Sequence, residues 1–264
     1  MNDLYNKKSY IKYIKYKIIN FFNNDSLIRL SINNKLKDYL ILISSSTNKL
    51  WNLHCTLSKI IIKMNDKYDS YDYGSGYFYQ SLKKINITGF RDTESRVKKL
   101  EIRELVKNKK VLDIGTNTGF ILFSSYKSFN HAIGIEHNCY LIEIAENVKK
   151  YLNVKNIEFK CINFENYAKK TKTKFDVILS LANHSTFDGN TKQNIQDYFL
   201  NTSKLLNPKG ILIFESHPPQ IEPPEKLEKT INAIQKNYII IKKPLIKMDG
   251  FLDKKRSYLI AQKK

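Results

Sequence analysis

Residues 111–120 read VLDIGTNTGF, an apolar run with Asp113 inside it and Gly115 and Gly119 directly behind. The chain has only 9 glycines, so two within one short turn mark a place where the backbone must bend tightly or be bared to a ligand. VLDI has the β-branched and apolar content of a buried strand, and the residues after Gly119 have the spacing of a helix. The unit is therefore a strand, a glycine turn and a helix. In a parallel sheet such a turn opens at the carboxyl edge, where ligands bind.

Working outward, the same alternation repeats. On the amino-terminal side, RDTESRVKKLEIRELV is predicted as one helix, with Asp92 or Thr93 as its N-cap. On the carboxyl-terminal side AIGIE is a strand and CYLIEIAENVKKYLN has helical spacing. IEFKCI and FDVILSLA are strands, TKQNIQDYFLNTSKLLN is a helix ended by Pro208 and Gly210, and ILIFES is a strand. PPEKLEKTINAIQKN is a helix with proline at its start, and YIIIKKPL and SYLIAQ are the last strands. Strands alternating with helices predict an α/β fold with a mostly parallel sheet and right-handed crossovers. The connection between the last two strands is too short for a helical crossover, so the sheet ends in an antiparallel pair.

The 264 residues, 42% of them hydrophobic, suffice for one large domain with an appendage. We expect a basic helical cap at 1–63, an aromatic lid or linker with the lead-in helix at 64–100, and the α/β domain at 101–264. In SYIKYIKYKIINFF the residues Tyr10, Ile11, Ile14, Ile18, Phe21 and Phe22 fall near helical spacing. Residues 64–90 are rich in Tyr, Asp and Gly without a clear period, which is loop chemistry; a lid over a ligand and a surface linker both fit it. No apolar run approaches a membrane span and the start lacks a secretory h-region, so a cytoplasmic protein is expected.

The formal charge of +20 invites a nucleic-acid reading. Nearly all of it is Lys, however; the arginines are Arg29, Arg91, Arg96, Arg103 and Arg256. Phosphate and base recognition favours the arginine fork over the lysine point charge. Cys55, Cys139 and Cys161 are odd in number and widely spaced, and are expected as buried, reduced thiols. The 5 histidines show no facing helical spacing, so no metal site is predicted.

A dinucleotide fingerprint reads G-x-G-x-x-G, its middle glycine making room for a pyrophosphate. Here the turn is G-T-N-T-G, with Asn117 in the middle and Asp113 facing it. A carboxylate suits a cationic or amino-bearing ligand and opposes a pyrophosphate.

VLDIGTNTGF resembles motif I of the class I S-adenosylmethionine-dependent methyltransferases, in its D-x-G-x-N-x-G form, and the similarity runs from about Leu105 to Lys264. It implies a seven-stranded, Rossmann-like sheet with an antiparallel last strand, S-adenosylmethionine as cofactor, and cofactor contacts at Asp113, Gly115, Asn117 and Gly119. Glu136, in AIGIEHN, matches the family's ribose-binding acid, whose two oxygens can accept from both hydroxyls. Asn163 and Phe164, in CINFENY, stand where the family contacts adenine. FDVILSLANH resembles motif IV, which puts Ser180 through His184 beside the methyl group. The N-P-P-Y motif of adenine-N6 methylation is absent, since the chain reads LANH there.

Methyl transfer from a sulfonium mainly needs an aligned acceptor, and a base only where the acceptor must lose a proton. His184 at the fourth strand, and Glu215 and His217 in FESHPP at the fifth, are the candidates for that role. Arg91 and Arg96, in GFRDTESR, either bridge acids on a helix surface or reach the cofactor's carboxylate or an anionic substrate. The stretch is similar to the D-T-E-x-x-R lead-in of the tRNA wobble-uridine carboxymethyl-transferring branch. The expected activity is O-methylation of a small molecule or of a glycan or lipid sugar. A tRNA- or rRNA-modifying methyltransferase is the alternative, and a non-catalytic binding protein keeping the fold is the second.

Overall fold

The computed structural model describes residues 26–45, 47–67, 77–184, 193–219, 221–242, 245–246 and 256–264. The helix expected over Tyr10–Phe22 lies outside them, as does most of the aromatic segment, residues 68–76. The chain divides into two compact units, Met1–Asp92 and Thr93–Lys264.

In the first unit α1 (Ser26–Ser45) and α2 (Asn48–Lys67) are helices. Leu50, Leu53, Leu57, Ile60, Ile61 and Met64 recur at i, i+3 and i+4 spacing, which makes one buried face on α2. Residues 77–92 carry one 3-10 turn (Lys83–Ile85), are otherwise without helix or extended strand, and are tied to these helices. Asp38, buried on α1, accepts from the Thr88 amide at 2.9 Å and from the Thr88 and Tyr77 hydroxyls. Asn34 donates to the Gly89 carbonyl at 2.8 Å, and His54 Nε2 lies 2.6 Å from the Ile85 carbonyl oxygen. Buried polar groups matched in this way avoid the desolvation cost of unmade hydrogen bonds.

The second unit opens with a correction to the lead-in helix. It is two short helices, α3 (Thr93–Lys99) and α4 (Ile102–Leu105), broken at Glu101 in the left-handed region (φ 52°). The alternation then follows: β1 (Lys110–Ile114), α5 (Phe120–Ser125), β2 (His131–Glu136), α6 (Cys139–Leu152), β3 (Ile157–Cys161), α7 (Phe164–Lys170) and β4 (Phe175–Leu181). After these come α8 (Ile195–Leu205), β5 (Leu206–Glu215), α9 (Pro224–Asn237), β6 (Tyr238–Lys242), β7 (Leu245–Ile246) and β8 (Arg256–Lys263). Strand order is β3-β2-β1-β4-β5-β8-β6, with the two-residue β7 pairing β8 off this path. β1 to β5 are parallel, and β8 runs antiparallel to both β5 and β6. This is the Rossmann-like methyltransferase sheet with its antiparallel end. Pro208 and Gly210 do not separate α8 from β5: the strand starts at Leu206 and absorbs them in a bulge between the Phe175–Leu206 and Val177–Ile211 pairs.

Strands covered on both faces read as continuous apolar runs. Leu112 and Ile114 of β1, Ile178 of β4, Leu212 and Phe214 of β5, and Leu259 of β8 accordingly share one core with Tyr198 and Phe199 of α8.

The cysteine expectation is overturned. Cys139, the first residue of α6, and Cys161, the last of β3, are joined by a disulfide, with their Cα atoms 5.1 Å apart. Both residues are exposed rather than buried; Cys55 alone is a free thiol among the described residues. The parallel pairing of β2 with β3 sets Cys161 beside Glu136 and so brings it to the start of α6, a proximity that residue spacing does not reveal.

Candidate functional site

β1 and β4 are central and adjacent, and the turns at their carboxyl ends form the core of the site. Gly115, Asn117 and Gly119 all have positive φ (65°, 54° and 73°). A Cβ on Gly115 would stand 2.9 Å from Asn183 of the β4 end, and one on Gly119 would stand 2.5 Å from the Phe159 ring on β3. The turn is thus a bare-backbone cradle closed in by Asn183 beyond β4 on one side and by Phe159 of β3, two strands away, on the other. Asn117 is one of the residues that tolerates the left-handed region, because its short amide bonds locally; its Oδ1 accepts from the Thr118 amide at 2.8 Å.

Asp113 points into this cradle, 3% exposed, and accepts from the Thr116 hydroxyl at 2.7 Å. Burial pushes its carboxyl up to about 7, against the Thr116 bond and the Arg96 charge and with the Glu136 charge. Glu136, buried at the end of β2, accepts from the His137 and Asn138 amides (2.9 and 3.1 Å) and, through its other oxygen, from the Asn117 amide at 3.2 Å. Two buried atoms of these turns, Thr118 Oγ1 and Asn138 Nδ2, have no partner among the described residues. A bared turn, two buried acids and two orphaned polar atoms fit a ligand that carries an ammonium and hydroxyls. S-adenosylmethionine is such a molecule.

Other expected contacts lie differently. Asn163 Oδ1 accepts from the Asn166 amide at 2.9 Å as the N-cap of α7. Phe164 is 1% exposed and packs in the core, 4.9 Å from the Tyr198 ring, so it offers no free face to a base. Ser180, fully buried, bonds Asn183 Oδ1 at 2.8 Å and Tyr198 at 2.9 Å. Arg91 belongs to the first unit, where it donates to the Tyr79 hydroxyl at 3.3 Å. Arg96 does not bridge a helix surface: it is buried, and its Nε lies 2.7 Å from Glu215.

The same contact removes Glu215 as a base. Its carboxylate is paired with Arg96 on one oxygen and with Arg256 Nη1, at 3.1 Å, on the other. Two guanidiniums occupy it and anchor β5 to α3 and β8. The carboxylate that faces a histidine is instead Glu222, in the loop between β5 and α9, which the sequence did not single out. Glu222 Oε1 lies 3.0 Å from His184 Nε2 and accepts from the Thr230 hydroxyl at 2.6 Å, and its Oε2 accepts from the His217 amide at 2.9 Å. Burial opposes its charge, yet the bond and charge of His184, with the Thr230 and His217 donors, hold it at about 2.

His184 and His217, from the ends of β4 and β5, stand with ring centroids 4.9 Å apart. Both are buried, and neither His184 Nδ1 nor His217 Nε2 has a partner among the described residues. Burial and the neighbouring His184, opposed by Glu222 and reinforced by Arg256 and Lys226, push His217 down to about 4, so its ring is neutral at physiological pH. Two proline pairs, Pro218–Pro219 and Pro223–Pro224, bracket Glu222. Such a stiffened loop is the one local signal that the segment holds a fixed position.

A family model for the methyltransferase domain matches residues 105–262, well over half of the chain. No curated protein matches in sequence. Among solved structures, the fold is similar to SMU.776 complexed with S-adenosylhomocysteine (TM-score 0.53, 9% identity, 65% of this chain and 50% of that one). It is also similar to the N-methyltransferase NodS from Bradyrhizobium japonicum WM9 (TM-score 0.52, 14% identity, 65% and 97%) and to NodS in complex with S-adenosylhomocysteine (0.51, 13%, 64% and 87%). The chain therefore spans half of SMU.776 and nearly all of NodS, and at these identities the likeness speaks to the fold. The chain belongs to the methyltransferase-domain family, within the class I S-adenosylmethionine-dependent superfamily that its motif I resembles.

Proposed function

We propose that the chain methylates a hydroxyl oxygen of a small molecule or sugar, with His184 as the base that takes the acceptor's proton. The observation that carries this is the buried Nδ1 of His184, without a partner among the described residues, at the carboxyl end of β4, the strand beside the β1 cradle. Bound S-adenosylmethionine supplies a methyl on a sulfonium, an electrophile that needs no activation by the protein. Asp113, Gly115, Asn117, Gly119 and Glu136 would hold that cofactor, Asp113 taking the ammonium and Glu136 the ribose hydroxyls. Asn163 stands at the adenine end as a helix cap. The chain's remaining work is to hold the acceptor in line, exclude water and accept one proton. A hydroxyl must lose its proton on methylation, and a neutral imidazole with a free nitrogen suits that step. His217, neutral and adjacent, orients the acceptor. Glu215 and Arg96 neutralise each other and keep the β5 end rigid.

The charge of +20 supports a second reading, an RNA acceptor held by lysines. One set of measurements separates the two. Calorimetric titration with S-adenosylmethionine and S-adenosylhomocysteine, beside Asp113→Ala and Glu136→Ala, is expected to give micromolar binding lost in both variants. Transfer of a labelled methyl group is then followed to hydroxyl-bearing small molecules and to RNA at two salt concentrations. Label in RNA alone, falling steeply with salt, would replace the small-molecule reading. Absence of cofactor binding to the intact protein would sink both.

A further inference from the structure

We infer that Glu222 is a positioning residue: it holds His184 by Nε2, so that Nδ1 is the nitrogen presented to the acceptor, and it holds His217 beside it. The inference rests on the reading of His184 as the base.

Three observations lead there. Glu222 is 2% exposed, yet all its recorded donors come from the two histidine segments and Thr230 of α9. One oxygen takes the His217 main-chain amide, which ties the loop down; the other faces an imidazole ring whose remaining nitrogen is buried and bare among the described residues. Buried polar atoms are almost always satisfied, so the pair of bare nitrogens on His184 and His217 marks a place built for another molecule's polar group. Second, Glu222 is tied on both sides. The Ile221 and Glu222 amides both bond the Pro218 carbonyl at 2.9 Å, and Pro223 and Pro224 lead directly into α9. A carboxylate held in this way can select a tautomer. Third, the other acid at the strand end is already taken: Glu215 is paired with both Arg96 and Arg256. Glu222 is the carboxylate left to work on the His184 ring.

The chemistry balances simply. In the unprotonated form of the His184 ring, with Nε2–H donating a hydrogen bond to Glu222 at 3.0 Å, the lone pair is on Nδ1. With S-adenosylmethionine bound, the acceptor's O–H proton would move to that lone pair as the oxygen forms its bond to the methyl carbon, the carbon–sulfur bond breaking with its electron pair left on sulfur in S-adenosylhomocysteine. Glu222 remains ionised and faces the resulting imidazolium. The charged and polar groups that face this unit are His217 on the β5 loop, Lys226 and Thr230 on α9, and Arg256 on β8, which is itself paired with Glu215. On the other side of the His184 ring are the apolar faces of Phe199 and Phe214, at 6.3 and 4.8 Å between centroids. Those phenyl rings carry no titratable group.

The test uses the full chain labelled with 15N-histidine, in the wild type, Glu222→Ala and Glu222→Gln, with the His184 signals assigned from a His184→Gln sample. Long-range proton–nitrogen correlation reads which ring nitrogen carries the proton. The wild type is expected to show His184 as a single tautomer protonated on Nε2, and both variants a mixture. With the acceptor found in the screen, kcat falls about 10- to 100-fold in each variant while KM moves less than about threefold. S-adenosylhomocysteine affinity stays within about twofold, because Glu222's hydrogen bonds go to His184, His217 and Thr230 rather than to the cradle. Glu222→Gln, nearly the same shape, keeps the test open where Glu222→Ala does not fold. A wild-type His184 protonated on Nδ1, a tautomer unchanged in both variants, or a KM effect with kcat preserved would each overturn the inference. If the intact protein binds no cofactor or methylates nothing offered, the proposed activity fails, and the tautomer measurement still decides what Glu222 does.

Discussion

Asn183 donates its side-chain amide to the main-chain carbonyl of Ile114, joining the end of β4 to the end of β1. The same amide's oxygen accepts from Ser180 at 2.8 Å and Tyr198 at 3.0 Å, so one buried side chain satisfies three groups across the cradle's floor. Asn183→Ala strands the Ile114 carbonyl and leaves the Ser180 and Tyr198 hydroxyls only each other, so that one of the two donors is unmet; each stranded group costs about 1–3 kcal/mol. We expect a loss of about 3 kcal/mol in urea unfolding and weaker S-adenosylhomocysteine binding. A loss below about 1 kcal/mol would mean that water replaces the amide.

Ala182, just before it, sits in the left-handed region at φ 59°, which an L residue without a polar side chain rarely adopts. The turn aims Asn183 back at Gly115 and buries His184, and the strain is the cost of that aim. Ala182→Gly is therefore expected to be neutral or to stabilise by up to about 1 kcal/mol, opposite to the usual cost of an alanine-to-glycine change. Denaturant midpoints decide it, and a clear loss would show that the turn carries no strain.

Gly119 is constrained twice, by its φ of 73° and by Phe159, whose ring would be 2.5 Å from an added Cβ. Gly119→Ala should cost about 2 kcal/mol or more. In a Phe159→Leu background part of that cost should disappear. An equal cost in both backgrounds would assign all of it to the backbone.

Asp113 carries a predicted pH dependence. Its folded carboxyl is raised to about 7 from an ordinary 3.8, so without ligand its contribution is complete below pH 4 and is lost as pH rises through about 7. Asp113→Asn should accordingly raise the melting temperature at pH 8, with an upper bound of about 4 kcal/mol, and leave it unchanged near pH 4. The same variant should lose cofactor binding. Wild-type affinity for S-adenosylmethionine should strengthen between pH 5 and 8 as the carboxylate forms. A pH-independent affinity would remove Asp113 from the ammonium's partners.

What could be read in the chain was local. The strand, glycine turn and helix of residues 111–120, the acid ending β2, and the histidines ending β4 and β5 each announce themselves within a few residues, because periodicity and turn chemistry act over that distance. What could not be read was pairing across the sheet. Arg96 finds Glu215 across 119 residues and Asn183 finds Ile114 across 69. Each pairing follows from strand order rather than from a pattern in either segment. Phe164 looked like a base-stacking ring because an aromatic follows the β3 loop, and its burial against α8 depends on how α7 closes over the sheet. Glu222 lies in a stretch with no helical or strand period, and only its flanking prolines hinted that it was held.

The Cys139–Cys161 bond turns the β2-to-β3 crossover into a covalent ring whose ends are 22 residues apart. Beyond the roughly 3 kcal/mol that such a closure contributes by limiting the unfolded chain, it changes what a cut does. A protease that nicks the loop around Asn153 leaves both fragments attached through sulfur. On a gel the nicked molecule should run as one species until a thiol is added, and then as two. Held together in this way, β1 and β2 keep their partner β3 after the chain is broken, so cofactor binding should outlast the nick in the oxidised protein and fail in the reduced one.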